Sequence, residues 1–385
     1  MRHWRWPLAL LLAAAAVFFL VLPAEVERHY NRVLPVPGRS PSARALDLHR
    51  RLRIVDLHAD SLFWGRDLLV RSDRGQADVP RLIEGNVAVQ GFTAVTQVPR
   101  SQNNLRNDAD SDLVGWLFFA QLRPPRTWGS RLERALDQAR RLRDAAARSR
   151  GRLVVLETAA DLDAYLARRE RDPDLVAGFL GAEGAQALDG DVSNLERIRS
   201  AGFRMIGLAH FFDNAFAGSA HGVAKGGLTP RGRDLVARMQ QRGMLVDLAH
   251  SSPRTIRDVL AVARRPVVSS HGGVKGTCDN PRNLDDEEVR GIARTGGVVG
   301  IGHWEMAVCG NDAPSVARAV RYAVGLAGAD HVALGSDFDG AVTTPFDASG
   351  LARLTDALLE AGLSVEEVRA VMGESALRVL KQTLP

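Results

Sequence analysis

The stretch IVDLHADSL, residues 54–62, opens on two β-branched apolar residues and runs into Asp56, His58 and Asp60 at alternate positions. Its first half has the composition of a buried strand. Alternate strand positions share one face, so the spacing predicts an imidazole and two carboxylates pointing together from the strand's end. Five further apolar runs end in ionisable groups: FLGAEG (179–184), MIGLAH (205–210), LVDLAH (245–250), VVSSH (267–271) and ALGSDFDG (333–340). A lone histidine beside a strand is usually a packed core residue. Six such endings call for a common cause.

The intervening sequence supplies one. Strand-like runs at 53–58, 87–97, 152–156, 176–182, 203–209, 244–249, 266–270, 297–302 and 331–336 alternate with helical patterns. One of these, TPRGRDLVARMQQRG (229–243), has Thr229 as a candidate N-cap, Pro230 in its first turn and Gly243 as its stop. Strand–helix alternation without a composition break predicts a parallel α/β fold. Eight or nine strands fit a (β/α)8 TIM-type barrel with one or two extra elements; a doubly wound open sheet is the alternative. In a barrel all C-terminal strand ends open onto one face. That face would collect His58, Asp60, Glu183, His210, His250, His271 and Asp337 around one cavity.

Several imidazoles and carboxylates in one place suit a divalent metal, zinc foremost, and more than four such groups suggest two ions. Two metals sharing a hydroxide provide a nucleophile near neutral pH. Cysteine ligands are absent from the set, which argues against a structural zinc.

Composition narrows the function classes. Of 385 residues, 45% are hydrophobic and 25% charged, as in an ordinary globular protein rather than a disordered one. The net charge of +5 comes almost entirely from arginines scattered along helical segments; lysine occurs only at Lys225, Lys275 and Lys381. That scatter is not a nucleic-acid footprint, and no nucleic-acid partner is expected. The first 30 residues stand apart. Arg2, His3 and Arg5 precede the apolar run PLALLLAAAAVFFLVL (7–22), which reads either as a signal peptide with a weak small-residue cleavage site at LPAEV (22–26) or as an uncleaved membrane anchor. Both place the rest outside the cytoplasm, exported and periplasmic or extracytoplasmic. Residues 31–48 are expected to be a linker and 49–385 the barrel domain.

Over about residues 50–375 the sequence resembles the membrane dipeptidases (renal dipeptidase type), zinc enzymes of the wider amidohydrolase barrel group. The resemblance rests on IVDLHAD, GAEG, LERIRSAGFRMIGLAH, GGLTPRGRDLVARMQQRGMLVDLAHSS, VVSSHGGVKGTCDNPRNLDDEEVR and GSDFDG, in that order. It implies two zinc ions: His58 and Asp60 on one, His250 and His271 on the other, Glu183 bridging both. It implies that His210 contacts substrate and the oxyanion, that Arg282 holds the substrate's terminal carboxylate, and that Asp337 is the acid/base. Asp339, two residues on, competes for that last role. The resemblance further implies a disulfide between Cys278 and Cys309, dipeptide substrates that include a C-terminal D-residue if the pocket is open there, and a homodimer as an allowed assembly. Ala59 stands where the family often has Asn, and Gln186 where it often has His, which bears on pocket shape rather than on metal binding.

The remaining histidines are secondary. His221, in FFDNAFAGSAHG (211–222), reads as a loop residue near the pocket rim, and His303 as a candidate pocket-lining residue. His29, His49 and His331 read as structural. The expected activity is dipeptide hydrolysis by a metal-bridging hydroxide. The alternatives are another binuclear-metal acyl hydrolase, acting on a lactone, cyclic amide or β-lactam, and a non-catalytic exported metal-binding protein.

Overall fold

A computed structural model describes residues 5–34, 40–101 and 103–385. Arg2 and His3 of the basic N-terminal group, and residues 35–39 of the expected linker, lie outside them. Nine parallel strands form at the nine apolar runs: β1 (Ile54–Ala59), β2 (Val87–Val95), β3 (Leu153–Val155), β4 (Val176–Glu183), β5 (Phe203–Gly207), β6 (Leu245–Asp247), β7 (Val268–Ser269), β8 (Val298–Ile301) and β9 (Val332–Leu334). The eight barrel strands are buried along their whole length, which is why they read mostly as apolar runs rather than as apolar–polar alternation; β3 is half-buried beyond Leu153.

The strand order β2-β1-β9-β8-β7-β6-β5-β4 closes through pairing of β2 with β4, giving an eight-stranded barrel. The ninth strand, β3, is the extra element. It pairs with residues 176–178 of β4, and β5 pairs with residues 180–182, so the two divide one edge of β4 between them. One apolar cluster takes a residue from every barrel strand, among them Val55, Val89, Phe179, Met205, Leu245, Val268, Val298 and Ala333. A larger cluster joins the barrel to its helices.

The helix expected over 229–243 spans Pro230–Gln241. Thr229 Oγ1 accepts the Gly232 N–H at 3.0 Å, and Gly243 follows the end with φ 67°.

Two sequence expectations need correction. Strict alternation along 56–60 is broken by a register irregularity between Asp56 and Ala59. Asp56 therefore does not join His58 and Asp60. Its carboxylate accepts from the Ser336 N–H (2.8 Å), the Ser336 hydroxyl and Gln90 Nε2 (3.2 Å), tying β1 to its neighbours. The segment expected as a linker is also structured at its end. Ala43–Arg50 is a helix that buries Ala45 and Leu48, and Ser42 caps it while donating its hydroxyl to Asp356 at 2.7 Å.

Candidate metal centre and substrate cavity

The C-terminal strand ends bring His58, Asp60, Glu183, His210, His250, His271 and Asp337 together, all buried. Glu183, the last residue of β4, is the hub. Its Oε1 lies 3.5 Å from His58 Nε2, 3.1 Å from His250 Nε2 and 3.4 Å from His271 Nε2, and its Oε2 lies 3.4 Å from His210 Nε2. Two groups spaced to hold a metal share this carboxylate: His58 with Asp60, and His250 with His271. Gly184 follows with φ 96°, a left-handed turn in which a Cβ would lie 2.1 Å from the Gln186 side chain. Two of the site residues, His250 (φ 60°) and Asp337 (φ 62°), themselves hold left-handed backbone. Such strain costs about 1–3 kcal/mol per residue and persists where a site over-determines it.

Residues behind the imidazoles set their tautomers. Ser270 donates its hydroxyl to Asp247 at 2.6 Å, so its oxygen is left to accept from Nδ1 of His58 (3.1 Å) and of His271 (2.9 Å). Asp247 lies within metal-binding range of His58 and His271, but it is already occupied by Ser270 and by the Ala249 N–H at 3.0 Å. On the other side His221 Nδ1 meets the Asn104 carbonyl at 2.7 Å, and its Nε2 lies 3.1 Å from His250 Nδ1. A carbonyl only accepts, so His221 Nδ1 donates, its Nε2 accepts, and His250 Nδ1 carries the next hydrogen. All three imidazoles thus turn an Nε2 lone pair inward. His250 Nε2 and His271 Nε2 stand only 3.0 Å apart, and His58 Nε2 is buried with no hydrogen-bond partner.

Such inward lone pairs and carboxylates fit cations. Without one the cage draws a proton: burial alone would lower the His58 pKa, but Asp60, Glu183 and Asp337 lift it to about 10. Burial and the Asp60 charge push Glu183 well up. Burial raises Asp337 likewise, and burial keeps His210, His250 and His271 neutral. Imidazole and carboxylate donors without thiolate suit zinc and related divalent ions.

The cage floors a cavity of about 820 Å³ whose polar lining includes Asp60, Glu183, His210, His250, Arg282 and Asp337. Arg282 is buried. One guanidinium nitrogen donates to the His271 carbonyl at 2.8 Å, and its Nε has no partner. Cys278 and Cys309 are bonded, with Cα atoms 5.2 Å apart.

The secondary histidines separate. His221 is not a rim residue: it is buried in direct contact with His250. His303 is not a cavity-lining residue. It packs between Phe338 and Phe346, with centroids 5.6 and 5.5 Å away, and burial lowers its pKa to about 3. His49 and His331 bond to backbone carbonyls of Gly85 (3.1 Å) and Gly297 (2.8 Å). Ser270 and Asp247 were present in VVSSH and LVDLAH as polar residues inside apolar runs, a signal the sequence reading left unused. His221 gave none beyond its presence.

Residues 42–384 match the family described as Membrane dipeptidase (Peptidase family M19). The chain is 34% identical over 256 residues to an uncharacterized protein of Klebsiella pneumoniae, covering 62% of this chain and 92% of that one. It is 36% identical over 218 residues to the dipeptidase AclJ of Aspergillus oryzae, covering 54% and 52%, so it spans about half of that relative. A metallo peptidase from Rhodobacter sphaeroides, solved with a phosphinate mimic of the dipeptide L-Ala-D-Ala, superposes with TM-score 0.70 at 25% identity, covering 86% of this chain and 99% of the other.

Proposed function

Because the chain belongs to the membrane dipeptidase family of metallopeptidases, we propose that it hydrolyses dipeptides with two zinc ions held in the cage at the strand ends. The observation that carries this reading is the Glu183 carboxylate shared by two metal-spaced groups. His58 and Asp60 would hold one ion and His250 and His271 the other, with the Glu183 carboxylate within reach of both groups. The bound metals supply Lewis acidity toward the scissile carbonyl and lower the pKa of the attacking water.

The chain's own residues do the rest. Asp337 is buried and its carboxylate accepts no hydrogen bond from any described residue, so it is free to take a proton from the attacking water and deliver it to the departing amine. His210, beside His250 and 3.4 Å from Glu183 Oε2, is the imidazole left to contact the oxygen that gains charge. Arg282 is a buried planar cation anchored on one side only, and grips the substrate carboxylate with its remaining N–H groups. That grip favours substrates with a free C-terminus one residue past the cleaved bond. The ligand in the Rhodobacter relative supports extending the range to a C-terminal D-residue. The helix Pro7–Tyr30 runs for 24 residues, and an 18-residue stretch of it with mean hydropathy 2.5 is long and apolar enough to cross a membrane, which supports an exported, membrane-attached enzyme.

The test is amino-acid release from L-L and L-D dipeptides by full-length protein, zinc-loaded and then chelated, with metal content measured in parallel. Zinc-dependent release with two ions per chain is expected. Two bound zincs and no release from any dipeptide would move the assignment to lactones or other cyclic acyl substrates.

A further inference from the structure

The N-terminal apolar segment does not hang free of the barrel. Its last part, Leu22–Tyr30, is a helix that buries Glu27 completely. The Glu27 carboxylate accepts from Arg66 Nε and Arg74 Nε, each at 2.7 Å. Arg66 is itself buried and also pairs with Asp339. Asn31 Oδ1 accepts the Ala341 N–H at 2.9 Å, in the loop that carries Asp337. A turn earlier, Phe18 and Phe19 meet Phe119 with ring centroids 5.9 and 5.3 Å apart. Glu27 lies just past the weak cleavage site at 22–26, so its ion pairs hold the end of the helix on the barrel in either case, while the Phe18 and Phe19 contacts tie down the part that cleavage would remove.

The same helix lines the cavity. Phe18, Leu22, Val26 and Tyr30 recur every four residues, along one helix face, and all four line the cavity that holds Glu183 and Asp337. Cleavage within 22–26 would take away Phe18, and Leu22 with it if the cut fell beyond that residue. At about 820 Å³ the cavity is in the range that encloses drug-sized ligands, far beyond what two small residues fill. Leu10, Leu11 and Leu12, further toward the N-terminus, are 61–70% exposed, leaving that stretch to lipid.

We propose that residues 18–30 stay on the mature enzyme as one wall of its active-site cavity, and that this wall selects dipeptides bearing a large apolar side chain. The inference rests on the dipeptidase reading and sharpens it to a substrate class. Burying a large apolar side chain against Phe18, Leu22 and Val26 removes its surface from water, a gain that Ala-Ala cannot make.

The experiment uses full-length, zinc-loaded protein in detergent micelles, and reads kcat/KM for Phe-Ala and Ala-Phe relative to Ala-Ala. At least one ratio is expected to exceed ten. Leu22→Ser and Val26→Ser should lower that ratio fivefold or more, whereas Leu12→Ser, outside the cavity, should leave it within twofold. Val26→Trp narrows the cavity while keeping the helix apolar, and should also lower the ratio, which guards against loss of folding in the serine variants. Intact mass should show residues 18–30 present. Ratios near one, ratios unmoved by the wall variants, or a fully active protein beginning after residue 26 would each overturn the proposal. Turnover with flat ratios refutes the wall alone; absence of turnover on every dipeptide refutes the dipeptidase reading and the wall's substrate class with it.

Discussion

Asp337 and Asp339 stand two residues apart in the turn after β9, both buried and both with left-handed backbone, φ 62° and 64°. Their surroundings are opposite. Asp339 is saturated: it accepts the Ser61 hydroxyl (2.5 Å), the Gln76 N–H (2.6 Å), the Ala77 N–H (3.3 Å) and the Arg66 guanidinium. The Asp337 carboxylate accepts no hydrogen bond from the described residues, and its nearest cationic partner is His58 Nε2 at 3.9 Å. One carboxylate is committed to holding the chain, and the other is left open, as the proposed acid/base role requires. A buried polar group that the fold satisfies is structural; one that the fold leaves open awaits something the chain does not supply.

The sharpest test exchanges charge for amide at each position. Asp337→Asn should lower turnover by roughly 10²- to 10⁴-fold, the range for a lost general acid/base, with metal content and melting temperature held. Steady-state assays beside metal analysis check this; near-normal turnover removes Asp337 from the reaction. Asp339→Asn should instead destabilise the fold by about 3–5 kcal/mol, since it leaves Arg66 buried short of a charge. Denaturant titration measures it. If Asp339→Asn abolishes turnover at unchanged stability, the two roles must be exchanged.

A third substitution attacks the space around Asp337 rather than its charge. A Cβ at Gly340 would sit 2.0 Å from Asp337 Oδ1, so Gly340→Ala must displace the carboxylate. The expected result is a fall in kcat of about tenfold or more, set by misplacement of the reacting group, with both metals retained.

The smallest effect concerns His303, which packs against Phe338, the residue between the two aspartates. Burial holds it neutral down to about pH 3, against an ordinary value of 6.5. Between those values the unfolded chain binds a proton that the folded chain refuses, so His303 lowers stability as pH falls from 6.5 toward 3. The slope it contributes is at most about 1.4 kcal/mol per pH unit. His303→Leu should flatten the acid limb of stability by that amount, read by denaturant melts between pH 6.5 and 4. An unchanged limb would mean that His303 is not buried neutral.

The barrel was legible because parallel strands are buried on both faces and announce themselves as unbroken apolar runs; all nine runs became strands. The cage residues were legible because each sits where such a run stops. What the sequence hid is packing that has no period. His221 reaches His250 across 29 residues by loop folding alone. Glu27 finds Arg66 39 residues on, from the end of the N-terminal segment that reads only as a signal peptide or anchor. Asp56 shared the spacing of His58 and Asp60, yet one register irregularity in β1 turned it to Ser336 and Gln90. Alternation describes an ideal strand, and strand ends near a site are where strands depart from it.

The bond between Cys278 and Cys309 spans 31 residues and joins the loop after β7 to the one after β8. Asn280 and Asn283 fasten the same loop to the carbonyls of Met306 (2.8 Å) and Ala307 (3.0 Å), and Asn280 Oδ1 accepts the Arg282 N–H at 2.9 Å. Closing a loop of that length removes chain entropy worth roughly 3–4 kcal/mol from the unfolded ensemble. Where thiols stay reduced, that contribution is missing at the segment that carries Arg282. The firmness of that segment is therefore tied to the oxidation state of two thiols: the same chain holds Arg282 more loosely wherever they are kept reduced.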